Sequence, residues 1–185
     1  MEETGKDLGD INLKTITLSK VFELQLQNFE EKVNEICVEA KEEDKNEQSI
    51  IKIEQAWKTT NFEIAPYKKG SETKGFAIKS PDEIRQQLED NILVLQSLNA
   101  SKYVRAIKHR VAQWEKDLNT INDVIDCWFI VQRKWIYLES IFSSEDIKLQ
   151  LPEEARKFGK TDLAYKKIME SAYKNPSVIQ CCVKA

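Results

Sequence analysis

The chain has 185 residues, 41% of them hydrophobic, enough for one domain or two small helical lobes with a buried core. Lysine and arginine (28) nearly cancel aspartate and glutamate (31), so the net charge of −3 gives no reason to expect nucleic acid or an anionic membrane as partner. A charged content of 32% with only five glycines suggests long amphipathic helices, and the longest apolar runs, such as Ile92–Leu95, are far too short to span a bilayer.

Residues 1–14 open with the polar stretch MEETGKDLGD, read as a flexible N-terminal segment without a secretory leader. Residues 15–60 form a helical segment. Leu18, Phe22, Leu26, Phe29, Val33, Ile36 and Ala40 recur at steps of three and four, which predicts one continuous helical face. KEEDKNEQ (41–48) interrupts the apolar pattern as a solvated helical face or a surface turn, and Ile50, Ile53 and Trp57 then resume an inner side.

Residues 61–79, NFEIAPYKKGSETKGFAIK, break the helical rule. Phe62 and Ile64, then Phe76 and Ile78, alternate with polar neighbours around the turn-rich PYKKGSETKG, which predicts an inserted β-hairpin. Gly70 and Gly75 have the spacing that opens a Walker A loop, but Phe76 and Ala77 stand where the phosphate-binding Lys and Ser/Thr are required.

Residues 80–185 read as a long-helix bundle. SPDE (80–83) predicts a helix start with a Ser80/Glu83 capping box, followed by inward Ile84, Leu88, Ile92, Leu95 and Leu98. Ser101 is placed to cap the next helix, expected from about 101 to 140. Its stripe runs through Val104, Ile107, Val111, Trp114, Leu118, Ile121, Ile125 and Trp128, falters at Gln132, and resumes at Trp135 and Leu138. At 1.5 Å per residue such a helix is roughly 60 Å long. Val124, Cys127, Phe129, Ile130, Val131 and Ile136 widen the stripe, so its C-terminal half is expected to pack on two sides and lie deepest. Phe142 ends the inner face; Ser143 or Ser144 is a natural cap for a short helix with Glu145 and Asp146 at its start, and Pro152-Glu153-Glu154 opens another. The fold class is mainly α: an elongated helical bundle of long antiparallel helices with a small inserted β-hairpin.

Sites of chemistry are sparse. The acidic residues of SSEDIKLQLPEE punctuate helices, and no cleft or partner group marks them for acid–base work. Cys37 and Cys127 are isolated and Cys181 and Cys182 adjacent, which fits reduced thiols rather than a disulfide framework or a zinc site. The single histidine, His109, is expected to face solvent. Lys102, Arg105, Lys108 and Arg110 form a short basic cluster read as a solvated helix face. No catalytic, cofactor-binding or metal residue is assigned.

The stretch KWIYLESIFSSEDIKLQLPEEARKF resembles the signature block of the linker in dynein heavy chains. The likeness extends through Asp162, Ile168-Met169 and NPSVIQCC, and upstream through IEQAWKTTNFEIAPYK, LEDNILVLQSLNASKYV and WEKDLNTINDVIDCWFIVQRKW, covering roughly residues 15–183. YLESIFSSEDI favours the axonemal type. The resemblance implies the N-terminal portion of the linker, a rod-like helical element that arches over a ring of AAA+ modules and carries the power stroke towards the tail. It implies no cofactor in this segment, ATP and magnesium in the parent ring, that ring as partner, other dynein subunits as further partners, and the microtubule as an indirect one. Nucleic acid and membrane are not implied; the cytoplasm and cytoskeleton, and the ciliary or flagellar axoneme for the axonemal type, are. The signature and core residues it marks are Trp114, Trp128, Trp135, Tyr137, Leu138, Glu139, Phe142, Asp146, Ile147, Pro152 and Phe158. A lever also needs places that bend, and Asn99, Ser143, Ser144 and Gly159 lie at the junctions considered. A stand-alone spectrin-like scaffold or tethering module is the alternative, opposed by the hairpin and the lack of a repeat.

Overall fold

The computed structural model describes residues 14–184, so the N-terminal residues 1–13 expected to be flexible lie outside the described residues. The chain divides into two units, Met1–Asn46 and Glu47–Ala185. Helix α2 (Glu30–Thr59) contributes its first part to one and its last part to the other.

Within the first unit the expected single helical face is broken. Helix α1 (Leu18–Glu23) is N-capped by Thr17, and Gln25 then adopts φ 50°, ψ 39°. This left-handed residue stops α1, and a 3-10 turn over Leu26–Phe29 leads into α2. Leu26, Phe29 and Val33 are half-buried in place of a continuous core face, while Leu18 and Phe22 are exposed. The acidic stretch 41–48 proves to be helical, because α2 continues through it.

In the second unit the end of α2 buries Ile50, Ile53 and Trp57. The hairpin pairs β1 (Ile64–Lys69) with β2 (Glu72–Ile78), antiparallel, in the register Ile64↔Ile78 and Pro66↔Phe76, with an irregularity between Tyr67 and Lys68. The strands extend further than the turn-rich composition suggested. Only Gly70 and Ser71 separate them, and Gly70 has the positive φ (64°) that a tight hairpin turn demands.

Helix α3 (Asp82–Ala100) buries Ile84, Leu88, Leu95 and Leu98, as the spacing required. Its start differs from the expected capping box. Pro81 occupies the N-cap position, and Ser80 Oγ accepts from the Asp82 N–H and donates to the Asp82 carboxylate. After α3 the chain turns before α4 (Lys108–Phe142) begins. Ser101 Oγ accepts the N–H of Tyr103, a local bond that competes with helix formation and delays α4 by several residues. Helix α5 (Glu145–Gln150) is short and contains no buried residue; α6 (Pro152–Lys174) starts on Pro152 with Glu153 and Glu154 in its first turn; α7 (Val178–Cys182) closes the chain.

The directions of the helices follow from paired contacts. Trp57 donates to Asn91 while Thr60 meets Gln87, so α2 and α3 are antiparallel. Trp128 meets Met169 and Trp135 meets Asp162, so α4 and α6 are antiparallel too. The segment before α7 returns to the end of α2: Phe62 N–H donates to Pro176 O and Val178 N–H to Thr60 O, with an Asn61–Ser177 bridge. The core joins α2, the hairpin, α3, α4, α6 and α7.

One expectation about α4 is corrected. Its C-terminal half is buried on one side only. Of the residues that widen the apolar stripe, Cys127, Ile130 (46%) and Val131 (42%) remain exposed, as does neighbouring Tyr137 (66%), while Val124, Phe129 and Ile136 are half-buried against the core. The hairpin and α6 occupy the face that carries Gln132, Trp135 and Glu139, and no described element covers the opposite one.

Candidate functional site

Four of the residues marked in the sequence, Trp135, Glu139, Phe142 and Phe158, meet where α4 packs on the hairpin and α6. Gln132, the position at which the heptad stripe falters, is 7% exposed and is the centre of the junction. Its Oε1 accepts the Ile78 N–H at 2.8 Å and its Nε2 donates to the Ile78 carbonyl at 2.8 Å. Lys79 N–H donates to Glu63 O, so the alternation of an antiparallel ladder turns the Ile78 groups outward from β1. The glutamine amide thereby pairs a strand edge that would otherwise carry unmet backbone groups. Tyr165, from α6, places its hydroxyl 3.3 Å from both Phe76 O and Gln132 Oε1. Burial pushes the Tyr165 phenol far above its usual range and keeps it neutral.

Trp135, one turn further along α4, is 2% exposed. Its indole stacks on Tyr165 (centroids 4.3 Å apart) and meets Tyr67 edge-on at 5.4 Å, and its Nε1–H donates to Asp162 at 2.9 Å. Gly75 on β2 permits this approach. A Cβ there would lie 3.2 Å from Trp135 Cη2, tighter than ordinary van der Waals contact. Lys166 donates to the same Asp162 carboxylate, which ties the indole to α6.

At the far end of α4, Glu139 is buried (6%). Its Oε2 finds no hydrogen-bond donor among the described residues, and the Lys69 ammonium lies 4.0 Å away. Lys69 Nζ instead donates to Ser143 Oγ at 2.7 Å and Ser140 O at 3.3 Å, so strand β1 grips the last turn of α4. Phe142 stacks on Phe158 at 5.3 Å, joining that turn to α6. Lys74, Lys148, Lys166, Glu145, Asp162 and Ser143 share the rim of a cavity of about 340 Å³ above Glu139.

The other expected positions fall outward from this junction. Trp114 is half-buried and donates to Glu54, which Arg110 holds in a two-pronged ion pair at 3.0 and 2.8 Å. The Arg110 hydrogen bonds hold the Glu54 carboxyl below its ordinary range. Arg110 of the basic cluster is therefore committed to α2, contrary to a wholly solvated face, while His109 is exposed as expected. Trp128 is half-buried, edge-on to Phe62 and bonded to the Met169 sulfur. Leu138 and Ile147 are half-buried, and Tyr137, Asp146 and Pro152 are exposed. Of the candidate hinge positions, Asn99 is in the last turn of α3, Ser143 and Ser144 separate α4 from α5, and Gly159 lies inside α6, whose helix runs on through it.

Gln132, Tyr165, Lys69 and Gly75 were not singled out for these roles by sequence reasoning. The lapse of the stripe at Gln132 was the available signal: a long polar side chain on an apolar seam needs a partner. No described group of His, Cys, Asp or Glu could hold a metal ion, and among the described residues no helix is long and apolar enough to cross a membrane.

A family model described as dynein heavy chain, N-terminal region 2, matches residues 1–185. Human dynein axonemal heavy chain 10 is 41% identical over 169 residues, 91% of this chain. The dynein-1-alpha heavy chain of the flagellar inner arm I1 complex, from Chlamydomonas reinhardtii, is 41% identical over 184 residues, 99% of this chain. The ciliary dynein beta chain of Tripneustes gratilla is 38% identical over 173 residues, 93% of this chain. The chain spans about 4% of the length of each of these relatives.

Proposed function

The chain belongs to the dynein heavy-chain family, and from that premise we propose that it is a non-catalytic mechanical element of the motor, a part of the linker that transmits movement of an ATP-driven ring to the tail. The observation that carries this reading is the keyed junction on α4. A 35-residue helix is fixed to the hairpin by the Gln132 amide, to α6 by Trp135, and at its end by Lys69. Such contacts resist sliding as well as separation, because each directional bond is lost when the register shifts. Close-packed aromatic contacts add stiffness, so displacement applied at one end of the unit reaches the other with little loss.

Bending is assigned to the places where the packing is thin: the Ser143–Ser144 junction before α5, the end of α3 at Asn99, and Gly159, where no side chain fills the helix surface. The ring of AAA+ modules in the same heavy chain is the proposed immediate partner, other dynein subunits are further ones, and the microtubule is reached through the motor. ATP and magnesium belong to the ring in this account. The axonemal names of the relatives favour a cilium or flagellum as its place of work.

Two measurements test this assignment. The native message read beyond Ala185 is expected to encode several GxxxxGK[ST] loops in succession, and titration of the 185-residue chain with Mg-ATP is expected to release no saturable heat. Stoichiometric nucleotide binding by the chain itself would refute a purely mechanical role.

A further inference from the structure

We propose that Ser143 is a phosphorylation site for an acid-directed serine kinase, and that the phosphate captures Lys69 of the hairpin at the α4–α5 junction. This inference stands apart from the lever reading. Three observations meet at this residue. Ser143 is exposed, and the acids at its second and third following positions, Glu145 and Asp146, are exposed as well. Acids there complement the basic substrate groove of a kinase that prefers acidic sequences. The segment can also reach such a groove: α5 buries no residue, and its N-cap Ser144 makes no side-chain capping bond, so opening 143–151 costs little packing.

The third observation distinguishes Ser143 from other serines with acidic followers. Ser80 precedes Asp82 and Glu83, yet its Oγ is bonded to the Asp82 carboxylate, so a phosphate would meet an anion. Ser143 Oγ instead accepts from the Lys69 ammonium at 2.7 Å. Lys148, Lys74 and Lys166 line the cavity beside Ser143 but are paired with Glu145, Glu72 and Asp162 at 2.6–2.7 Å, whereas the carboxylate nearest Lys69, that of Glu139, is 4.0 Å away. Lys69 is thus the cation positioned for a new anion.

In the transfer, Ser143 Oγ bonds to the γ-phosphorus of Mg-ATP, the bridging bond to the β-phosphate breaks, ADP leaves, and the serine proton passes to the base of the kinase. The product can only accept hydrogen bonds near neutral pH, so the bond that Ser143 Oγ donates to Ser140 O at 3.1 Å is lost. The bond from Lys69, already donated by a cation, gains an anionic acceptor and becomes a stronger ion pair. Lys69, the cation nearest Glu139, is drawn to the phosphate, so the hairpin is tethered more firmly at residue 143 while the turn bond between Ser143 and Ser140 is gone.

The test treats the 185-residue chain with an acid-directed kinase and Mg-ATP, maps the phosphate by mass spectrometry, and follows its second ionisation by phosphorus NMR. Modification is expected at Ser143, lost in Ser143→Ala and kept in Ser144→Ala. The ionisation is expected about 0.5 pH unit or more below the usual value near 6 and to return towards it in Lys69→Met. Glu139, Glu145, Asp146 and Asp162 oppose that shift and Lys74, Lys148 and Lys166 support it; all are the same in the wild type and Lys69→Met, so the difference between the two isolates Lys69. Absence of phosphate on Ser143, or an ionisation that Lys69→Met leaves unmoved, would overturn the proposal.

Discussion

Replacing Gln132 with leucine keeps the volume and the helix propensity of the position but removes both bonds to Ile78. The Ile78 N–H and C=O then face an apolar side chain, and Ile78 is only 4% exposed. Each backbone group left without a partner in such surroundings costs about 1–3 kcal/mol, so Gln132→Leu is expected to lose about 2–6 kcal/mol. Denaturation followed through tryptophan fluorescence reads this directly, because Trp135 lies one turn away against Tyr165. Gln132→Glu sharpens the test. Its carboxylate can still accept from the Ile78 N–H but opposes the Ile78 carbonyl, whereas the protonated acid can donate to it. Burial raises the folded-state pKa of this carboxyl above its unfolded value near 4.3, so the folded state binds the extra proton. The variant should therefore regain stability as the pH falls through the raised value towards 4.3, a direction opposite to ordinary acid denaturation. A loss below 0.5 kcal/mol for the leucine variant, or a glutamate variant without acid recovery relative to wild type, would refute the idea that the amide locks the hairpin.

Gly75→Ala should destabilise by about 1–3 kcal/mol, since Trp135 is stacked on Tyr165 and packed against Tyr67 and has little room to yield to the new methyl group; calorimetry of the variant checks this. The Glu54–Arg110 pair should support stability fully above the ordinary carboxyl value of 4.5 and lose that support as the pH falls below it, because the folded-state pKa is depressed. In acid titration Glu54→Gln should flatten that part of the curve. Thiol labelling at pH 8 should modify exposed Cys37 and Cys127 quickly and leave Cys182 untouched in the native chain, since burial pushes its thiol up to about 12. Gly159→Ala should raise stability by about 0.4–1 kcal/mol, because its Cβ meets nothing within 4 Å and the backbone there is helical.

The helices of the second unit were legible because their apolar residues recur at three and four over many turns, and burial of Ile84, Leu88, Val111, Leu118 and Ile125 follows that spacing. The hairpin was legible from the switch to alternation and the glycine that its turn requires. The stop at Gln25 was not, since neither glycine nor proline marks it and the left-handed φ belongs to a residue type with no preference for it. The exposed face at Ile130 and Val131 was misjudged because periodicity reports which residues are apolar, whereas burial depends on where neighbouring elements pass. Trp135, Glu139 and Phe142 could be marked in the sequence, but the contacts that hold them could not. The function of Gln132 depends on Ile78, 54 positions away, and that of Gly75 on the Trp135 ring. Neither partner can be identified from local sequence, although the polar lapse in the seam showed that something had to meet it.

The most direct test of a force-transmitting role is to measure ATP turnover and microtubule gliding on one heavy chain carrying this segment, with and without Gln132→Leu, at a temperature where the variant segment is folded. On the proposed reading the chemical step lies outside the keyed junction, so the ring is predicted to keep hydrolysing ATP within about twofold of wild type while gliding slows at least fivefold. Gliding at the wild-type speed in the folded variant would contradict the account.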